Sequence, residues 1–432
     1  MHSSNFAKMA CDAPNRTTPN RTTPDRTTPV RAALIGVLLT SVAMPASAAK
    51  FDKVLHELNG QSDGYLPDGG LTEDSAGNFY GTAEEGGAYG GGTVFKLSKA
   101  NGGGWTFNTI YSLTGGADAS EPQGTVTFDS AGNLYGTSII GASQASAYGA
   151  VFQLVPDGKG NWNLGKTFDF DGTNGIYPET GVIVDAAGNL YGTTQEGGPG
   201  NAGYGYGTVF ELTPSGNTFS LQTLVAFTGD VNGSFPAGGL IMDSKGDLFG
   251  TAPEGGTYNY GIVFKLHHGT KGWKETILHS FNYPTEGAAP MGNLLLDRAG
   301  NLYGTTNNFA GTIFKLTRPT DGATAWTLTT LYQYPFAQGG VGLVFDKSGN
   351  LYGAGSGSTT KCPICSNIFQ LTPTPSGPWT QNVLATVPGG ARGRYPAPPL
   401  AFGKGDRILY GATNYGGLGN GLGYGVIFDV KK

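Results

Sequence analysis

From residue 51 onward, short runs in which apolar and polar residues alternate recur along the chain in sets of four. Each set opens with G-x-L-x-x-D (strand a) and continues as N-L-Y-G-T (b) and T-V-F-K-L (c). It closes with an aromatic-led run such as Trp273-Lys-Glu-Thr-Ile277-Leu-His-Ser-Phe281 (d). A period of two over four to eight residues, bounded by Gly, Asn and Asp, predicts β-strands. The a–b link, for example Asp129-Ser-Ala-Gly-Asn133, predicts a hairpin, because Gly and Asn tolerate the positive φ that tight turns demand.

The sets are copies of one repeat. Their b strands are centred on Tyr80, Tyr135, Tyr191, Phe249, Tyr303, Tyr352 and Tyr410, at spacings of 55, 56, 58, 54, 49 and 58 residues. Four-stranded repeats of this length predict propeller blades. The seventh copy stops after strand c. The missing strand d stands at the other end, where Phe51-Asp-Lys-Val-Leu55-His56-Glu-Leu58 matches Trp273–Phe281 nearly position for position. The expected fold is therefore all-β: a seven-bladed β-propeller with four strands per blade, its ring closed by an N-terminal strand that completes the last blade.

Residues 1–48 do not fit the repeat. Three copies of Arg-Thr-Thr-Pro precede an apolar run from Ala32 to Met44 and a small-residue site at Ala46-Ser47-Ala48. A basic n-region, a short h-region and an A-x-A site predict a secretory signal peptide cleaved after Ala48, leaving the propeller as residues 49–432. The protein is expected in the periplasm or the medium. Without the leader, 21 basic residues face 29 acidic ones, which disfavours nucleic acid and anionic membranes as partners. No later stretch is long and apolar enough for a membrane span.

The motif G-N-L-Y-G-T-[TS], then G-G, then G-T-V-F-[KE]-L resembles the GloVer tandem repeat family of Gloeobacter and Verrucomicrobia proteins. The resemblance covers nearly all of residues 49–432. It implies a secreted or surface protein, often with a C-terminal anchor, and no particular activity. This sequence ends at Val430-Lys-Lys432 without an anchor-like segment.

With strand a innermost, the d–a and b–c loops emerge on one face, and these are the long, variable connections. Binding is expected there. Departures from the repeat are the informative positions. Arg392 and Arg394, beside Tyr395, suit a carboxylate or sulfate group; Tyr177, Tyr204 and Tyr258 complete the candidate ligand-binding set. Glu84, Glu196 and Glu254, with Arg392 and Arg394, are the candidate catalytic residues, since glycoside hydrolysis needs paired carboxylates. Glu121 and Glu179 are further loop acids. Recurrence of E-G-G after strand b favours a loop-shaping role for Glu84/Glu85, Glu196 and Glu254. The five Trp occupy one repeat position, which assigns them to blade packing.

Cys362 and Cys365, the only cysteines after the leader, are expected to form a loop-stiffening disulfide. His56 and His279 share a repeat position and are assigned to strand packing. Gly60-Gln-Ser62-Asp-Gly64 fits a nucleophile elbow only by pattern, because it lies between strands d and a. The turns at residues 171–175 and 230–233 have a calcium-loop flavour but lack the terminal acid; turn chemistry accounts for them, and no cofactor is expected. Two functions follow. One is a monomeric secreted propeller binding a polysaccharide or cell-envelope component on the d–a/b–c face. The other is a polysaccharide lyase or glycoside hydrolase using the acidic, Tyr and Arg residues of that face.

Overall fold

The computed structural model describes residues 53–116, 118–142, 148–199, 205–308, 311–320, 323–334, 342–356, 366–374, 378–417 and 423–432. The leader, Tyr204, Cys362 and Cys365 lie outside them. The described residues form seven four-stranded antiparallel sheets, each in the order a-b-c-d. In blade 1 these are Thr72–Glu73, Phe79–Ala83, Thr93–Lys99 and Trp105–Ser112. Blade 7 takes Arg394–Phe402, Ile408–Tyr415 and Val426–Lys431 from the end of the chain and Lys53–Glu57 from its beginning. The closing register pairs Val54 with Phe428 and Glu57 with Val426. The sheet-forming pattern and the ring closure expected from the repeat are both present.

Each conserved element of the repeat has a packing reason. The Gly of N-L-Y-G-T lies opposite the Phe of strand c in all seven blades. A Cβ on Gly81, Gly136, Gly192, Gly250, Gly304, Gly353 or Gly411 would sit 2.4–2.8 Å from that ring. The seven Phe side chains (Phe95, Phe152, Phe210, Phe264, Phe314, Phe369, Phe428) are fully buried and form the centre of each blade. The turn Asp accepts from its own hairpin: Asp297 binds the Ala299 and Asn301 N–H groups, Asn301 Nδ2 and the Tyr303 hydroxyl. Four other blades make the same set of bonds, for example Asp129 in blade 2. This is why D-x-x-G-N-x-Y recurs.

The seams between blades are aromatic. Strand d opens with an aromatic that packs on the b-strand ring of the preceding blade: Trp105 on Tyr410, Trp162 on Tyr80, Phe219 on Tyr135, Trp273 on Tyr191, Trp326 on Phe249 and Trp379 on Tyr303. Ring centroids are 5.4–6.4 Å apart. The tryptophans are packing residues, as their shared repeat position predicts.

The seam is locked a second time on the loop face. In six blades a non-glycine residue with φ of 54–58° precedes a proline: Leu66, Glu121, Tyr177, Phe235, Ala289 and Tyr395. That conformation is disfavoured before proline. In five of them the residue's N–H reaches a carbonyl of the preceding blade, those of Tyr424, Gly91, Tyr148, Tyr206 and Tyr260 respectively, at 2.8–3.2 Å. The proline itself presses on the glycine that opens strand c of that preceding blade. A Cβ on Gly92, Gly149, Gly207, Gly261 or Gly425 would lie 2.4–2.6 Å from its Cδ. Gly425 against Pro67 closes the ring by the same device.

Candidate functional site

The innermost strands set the geometry at the axis. They approach so closely that a Cβ on Gly69 would lie 2.0 Å from the Gly124 carbonyl oxygen, and one on Gly124 would lie 2.4 Å from the Gly181 nitrogen. The residue after each proline stands at the loop-face end of this inner ring: Asp68, Gln123, Glu179, Ala237, Met291 and Ala397. Beside it comes the residue that follows strand b's G-T-[AST], or G-A-T in blade 7, in the preceding blade: Asn414, Glu84, Ile139, Gln195 and Pro253. Asn414 Nδ2 donates to Asp68 Oδ1 at 2.8 Å across the seam of blades 7 and 1. Glu84 faces Gln123 across the next seam. Gln123 is only 2% exposed, and its Nε2 makes no hydrogen bond of acceptable geometry.

Among the described residues, acids occupy these positions in blades 1 and 3: Asp68, Glu84 and Glu179. Burial, then the charges of Asp68 and Glu121, push the Glu84 carboxyl up to about 8. Burial, then the charges of Asp68 and Glu196, push Glu179 up to about 8 as well. Burial also raises Asp68, against the opposing bond from Asn414. Blades 1 and 3 are not neighbours, yet the charge of Asp68 acts on both glutamates, so the three acids share one electrostatic environment near the axis. At neutral pH Glu84 and Glu179 therefore hold their protons and act as donors as well as acceptors.

Glu85 adjoins Glu84 but turns the other way. It forms a backbone bridge with Tyr65 and accepts from the Tyr65 hydroxyl, which pushes that phenol up to about 12. Glu196 and Glu254 align with Glu85, not with Glu84: their bridges are to Ile176 and Ser234. The three E-G-G sites thus share the loop-shaping backbone geometry. Glu84 is displaced by one residue and points into a different environment. Glu196 still contributes its charge to Glu179, and burial raises its own carboxyl.

Blade 7 places Arg394 and two tyrosines at the loop-face end of its inner strands. Arg394 lies over the Tyr395 ring, 4.6 Å from its centroid, and donates to the Tyr395 hydroxyl at 2.7 Å. Tyr395 meets Tyr415 edge-on at 6.2 Å. Burial raises the Tyr415 phenol, as do the charges of Glu84 and Asp68. Tyr415 feels the charge of these acids and touches the ring that Arg394 covers. Arg392 is exposed on a short 3-10 turn, residues 390–392, and is not brought into this group. Tyr177 holds the position before Pro178, and its carbonyl accepts the Glu179 and Gln195 N–H groups. Tyr258 stands apart on the b–c loop of blade 4.

The remaining surface of this face is aromatic. Tyr89, Tyr258, Tyr395 and Tyr148 are 68, 51, 39 and 37% exposed. With Val231 they are the exposed large apolar side chains among the described residues; four lie on d–a or b–c loops, and Tyr395 lies at the start of strand a of blade 7. Tyr148 recurs in the sequence with Tyr206, Tyr260 and Tyr424 before the Gly that opens strand c, which reads as scaffold; Tyr89, Asp68, Gln123, Asn414 and Tyr415 do not stand out. The signal for the axial set is an alignment of the repeat on its X-Pro step, which shows polar residues in blades 1 to 3 and Ala or Met in blades 4, 5 and 7.

The histidines do more than pack. His56 Nε2 reaches Asp63 at 2.8 Å and His279 Nε2 reaches Glu286 at 3.0 Å, each fastening the following d–a loop; Tyr111 does the same with Asp118. In the 171–175 turn, Asp171 Oδ1 accepts three donors from Thr173 and Asn174, which is turn chemistry. Among the described residues no group of three or more His, Cys, Asp or Glu is arranged to hold a metal ion.

Residues 42–204 match the family model of the Gloeobacter/Verrucomicrobia repeat. Three solved structures are similar in fold. One is a putative 6-phosphogluconolactonase from Bacteroides uniformis, at 15% identity and TM-score 0.50 over 81% of this chain and 89% of that one. The second is PorZ, a surface component of the type-IX secretion system of Porphyromonas gingivalis, at 15% identity and TM-score 0.50; 87% of this chain matches 48% of PorZ. The third is the Cps50 (Swd1) β-propeller domain of Myceliophteria thermophila, at 7% identity and TM-score 0.52 over 88% and 99%. At these identities the likeness is one of fold alone. No curated protein matches the sequence.

Proposed function

We propose that this carrier of the Gloeobacter/Verrucomicrobia repeat is a secreted binding propeller whose ligand is a saccharide, held on the d–a/b–c face around the axial opening. The observation that supports it most is the placement of the exposed large apolar side chains, four of them tyrosines, on that one face. Exposed apolar groups gathered on one side mark an interaction surface, and tyrosine offers a flat ring with a polar tip suited to sugar rings. Protonated Glu84 and Glu179 add uncharged groups that donate and accept. Export rests on the leader read at residues 1–48.

A second reading, hydrolysis or elimination of a polysaccharide, is favoured by the convergence of Asp68, Glu84 and Glu179. A protonated glutamate beside a second carboxyl is the pairing that glycosidases use. In that reading Glu84 or Glu179 is the acid and Asp68 its partner. Arg394 with Tyr395 would hold a uronate in a lyase.

The test incubates the purified protein with a panel of neutral and acidic polysaccharides. Affinity electrophoresis reads retention and mass spectrometry reads products. Retention without products supports the binding propeller. Products that disappear in Glu84→Gln or Glu179→Gln replace it with the enzyme. Neither retention nor products across the panel would sink both readings of this face.

A further inference from the structure

The opposite face carries a feature of contrary charge. Between the a–b turns of blades 4 and 5 lies a cleft of about 310 Å³, lined by Lys245, Lys265, Arg298 and Arg318 over the rings of Phe249 and Trp326. The protein as a whole has net charge −5, so four cations around one cleft are a local reversal.

The internal repeat shows that the a–b hairpin does not need Lys245 or Arg298. Where blade 4 has Lys245, other blades have Ala76, Ala131, Ala187, Ala299 and Ser348. Where blade 5 has Arg298, others have Ser75, Ser130, Ala186, Ser244 and Lys347. The hairpin is built from the turn Asp and its bonds, which the substituted residues do not supply. Of the other cations at the Arg298 position, Lys347 is paired with Asp406 at 3.2 Å, and Lys404 of blade 7 donates to the Ser75 carbonyl. Lys245, Arg298 and Arg318 have no ion-pair partner among the described residues.

The two carboxylates that line the cleft, Asp243 and Asp297, offset part of its charge but are engaged by neutral donors of their own hairpins and not by the cations, which remain in excess. Asp297 turns both oxygens to donors of its own hairpin. Asp243 Oδ1 accepts the Lys245 and Asp247 N–H groups. Lys265 is held at the rim by Asp247, at 2.5 Å, and stands 5.7 Å from the Phe249 ring centroid. Arg318 is folded over Gly300, where a Cβ would meet its Nη1 at 3.0 Å, so its guanidinium lies against the cleft wall. Three cations that repel one another and lack partners form a site that an anion would relieve.

We propose that this cleft is a second binding site, specific for a tetrahedral oxyanion of the phosphate or sulfate class. Arg298 and Arg318 supply forked donors that match such oxygens, and Lys245 supplies a point charge. The site is independent of the saccharide reading of the other face.

Isothermal titration of the whole protein with inorganic phosphate and with inorganic sulfate, in low-salt buffer, tests it. Binding is expected to weaken tenfold or more in Arg298→Ala and in Arg318→Ala. Lys347→Ala should change it by less than twofold. Arg298→Ala installs a residue type that other blades carry at this turn, so it leaves the fold intact. Glucose 6-sulfate titrated against glucose then separates the sources: tighter binding than sulfate assigns a sugar ester, and equal binding assigns the free ion. No heat with either inorganic anion at millimolar concentration overturns the proposal. So does binding that is unchanged in both arginine variants.

Discussion

Replacing Glu84 by Gln should stabilise the protein at alkaline pH and leave it unchanged in acid. The Glu84 carboxyl is 8% exposed and rises from an ordinary 4.5 to about 8 on folding. Its folded form therefore holds a proton that the unfolded chain has released between those two values. Stability contributed by the group is fully present below about 4.5, falls as pH rises towards 8 and is flat beyond. At 1.36 kcal/mol per pKa unit the full shift corresponds to roughly 5 kcal/mol. Water reaching the axial opening screens part of it, so about 2–3 kcal/mol is expected. Gln keeps the shape and carries no charge at any pH. Urea unfolding followed by the fluorescence of the five seam tryptophans, at pH 4, 6 and 8.5, reads the difference directly. Glu84→Gln should match the parent at pH 4 within about 0.5 kcal/mol and exceed it by about 2–3 kcal/mol at pH 8.5. Glu179→Gln should behave alike, and the double variant should fall short of the sum because Asp68 couples to both. A variant that runs parallel to the parent at every pH would refute the claim that these acids are held protonated around the axis.

Three further outcomes follow from the packing. Gly261→Ala places a Cβ 2.4 Å from Pro290 Cδ at φ +97°, and should cost about 3 kcal/mol. Gly246→Ala, at φ +80° with open space around it, should cost only about 1 kcal/mol; equal losses in denaturant midpoint would remove the steric argument. Trp273→Ala opens the seam against Tyr191 and should lower stability by about 2–4 kcal/mol by the same assay, while a loss under 1 kcal/mol would contradict the packing role. Tyr258→Ala and Tyr89→Ala should shift stability by no more than about 0.5 kcal/mol yet weaken retention on whichever saccharide the panel identifies. Unchanged retention in both would detach these rings from the binding face.

The repeat was legible because its causes are local. Alternation, the Asp-centred hairpin and the Gly opposite Phe each involve residues within about twenty positions, and each leaves a mark in the sequence. Ring closure was legible for the same reason: Lys53–Glu57 reads as a strand d, and only the seventh blade lacks one. The proline–glycine lock between blades left marks on both partners, Pro290 and Gly261 among them, but nothing in the sequence pairs them. The recurring E-G-G hid the register difference that sets Glu84 apart from Glu196 and Glu254.

The axial site belongs to the tertiary structure. Asp68 and Asn414 are 346 positions apart and come within hydrogen-bonding distance only when the ring shuts. Asp68 and Glu179 share an environment because seven inner strands crowd one axis. The protonation of Glu84 and Glu179 depends on how much protein surrounds them, which no local pattern encodes. The sequence alone determined the blade, its count and its closure, since those rest on neighbours along the chain. Which acids meet, and which cations are left without partners on the far face, was decided by folding, because charge and burial act through space.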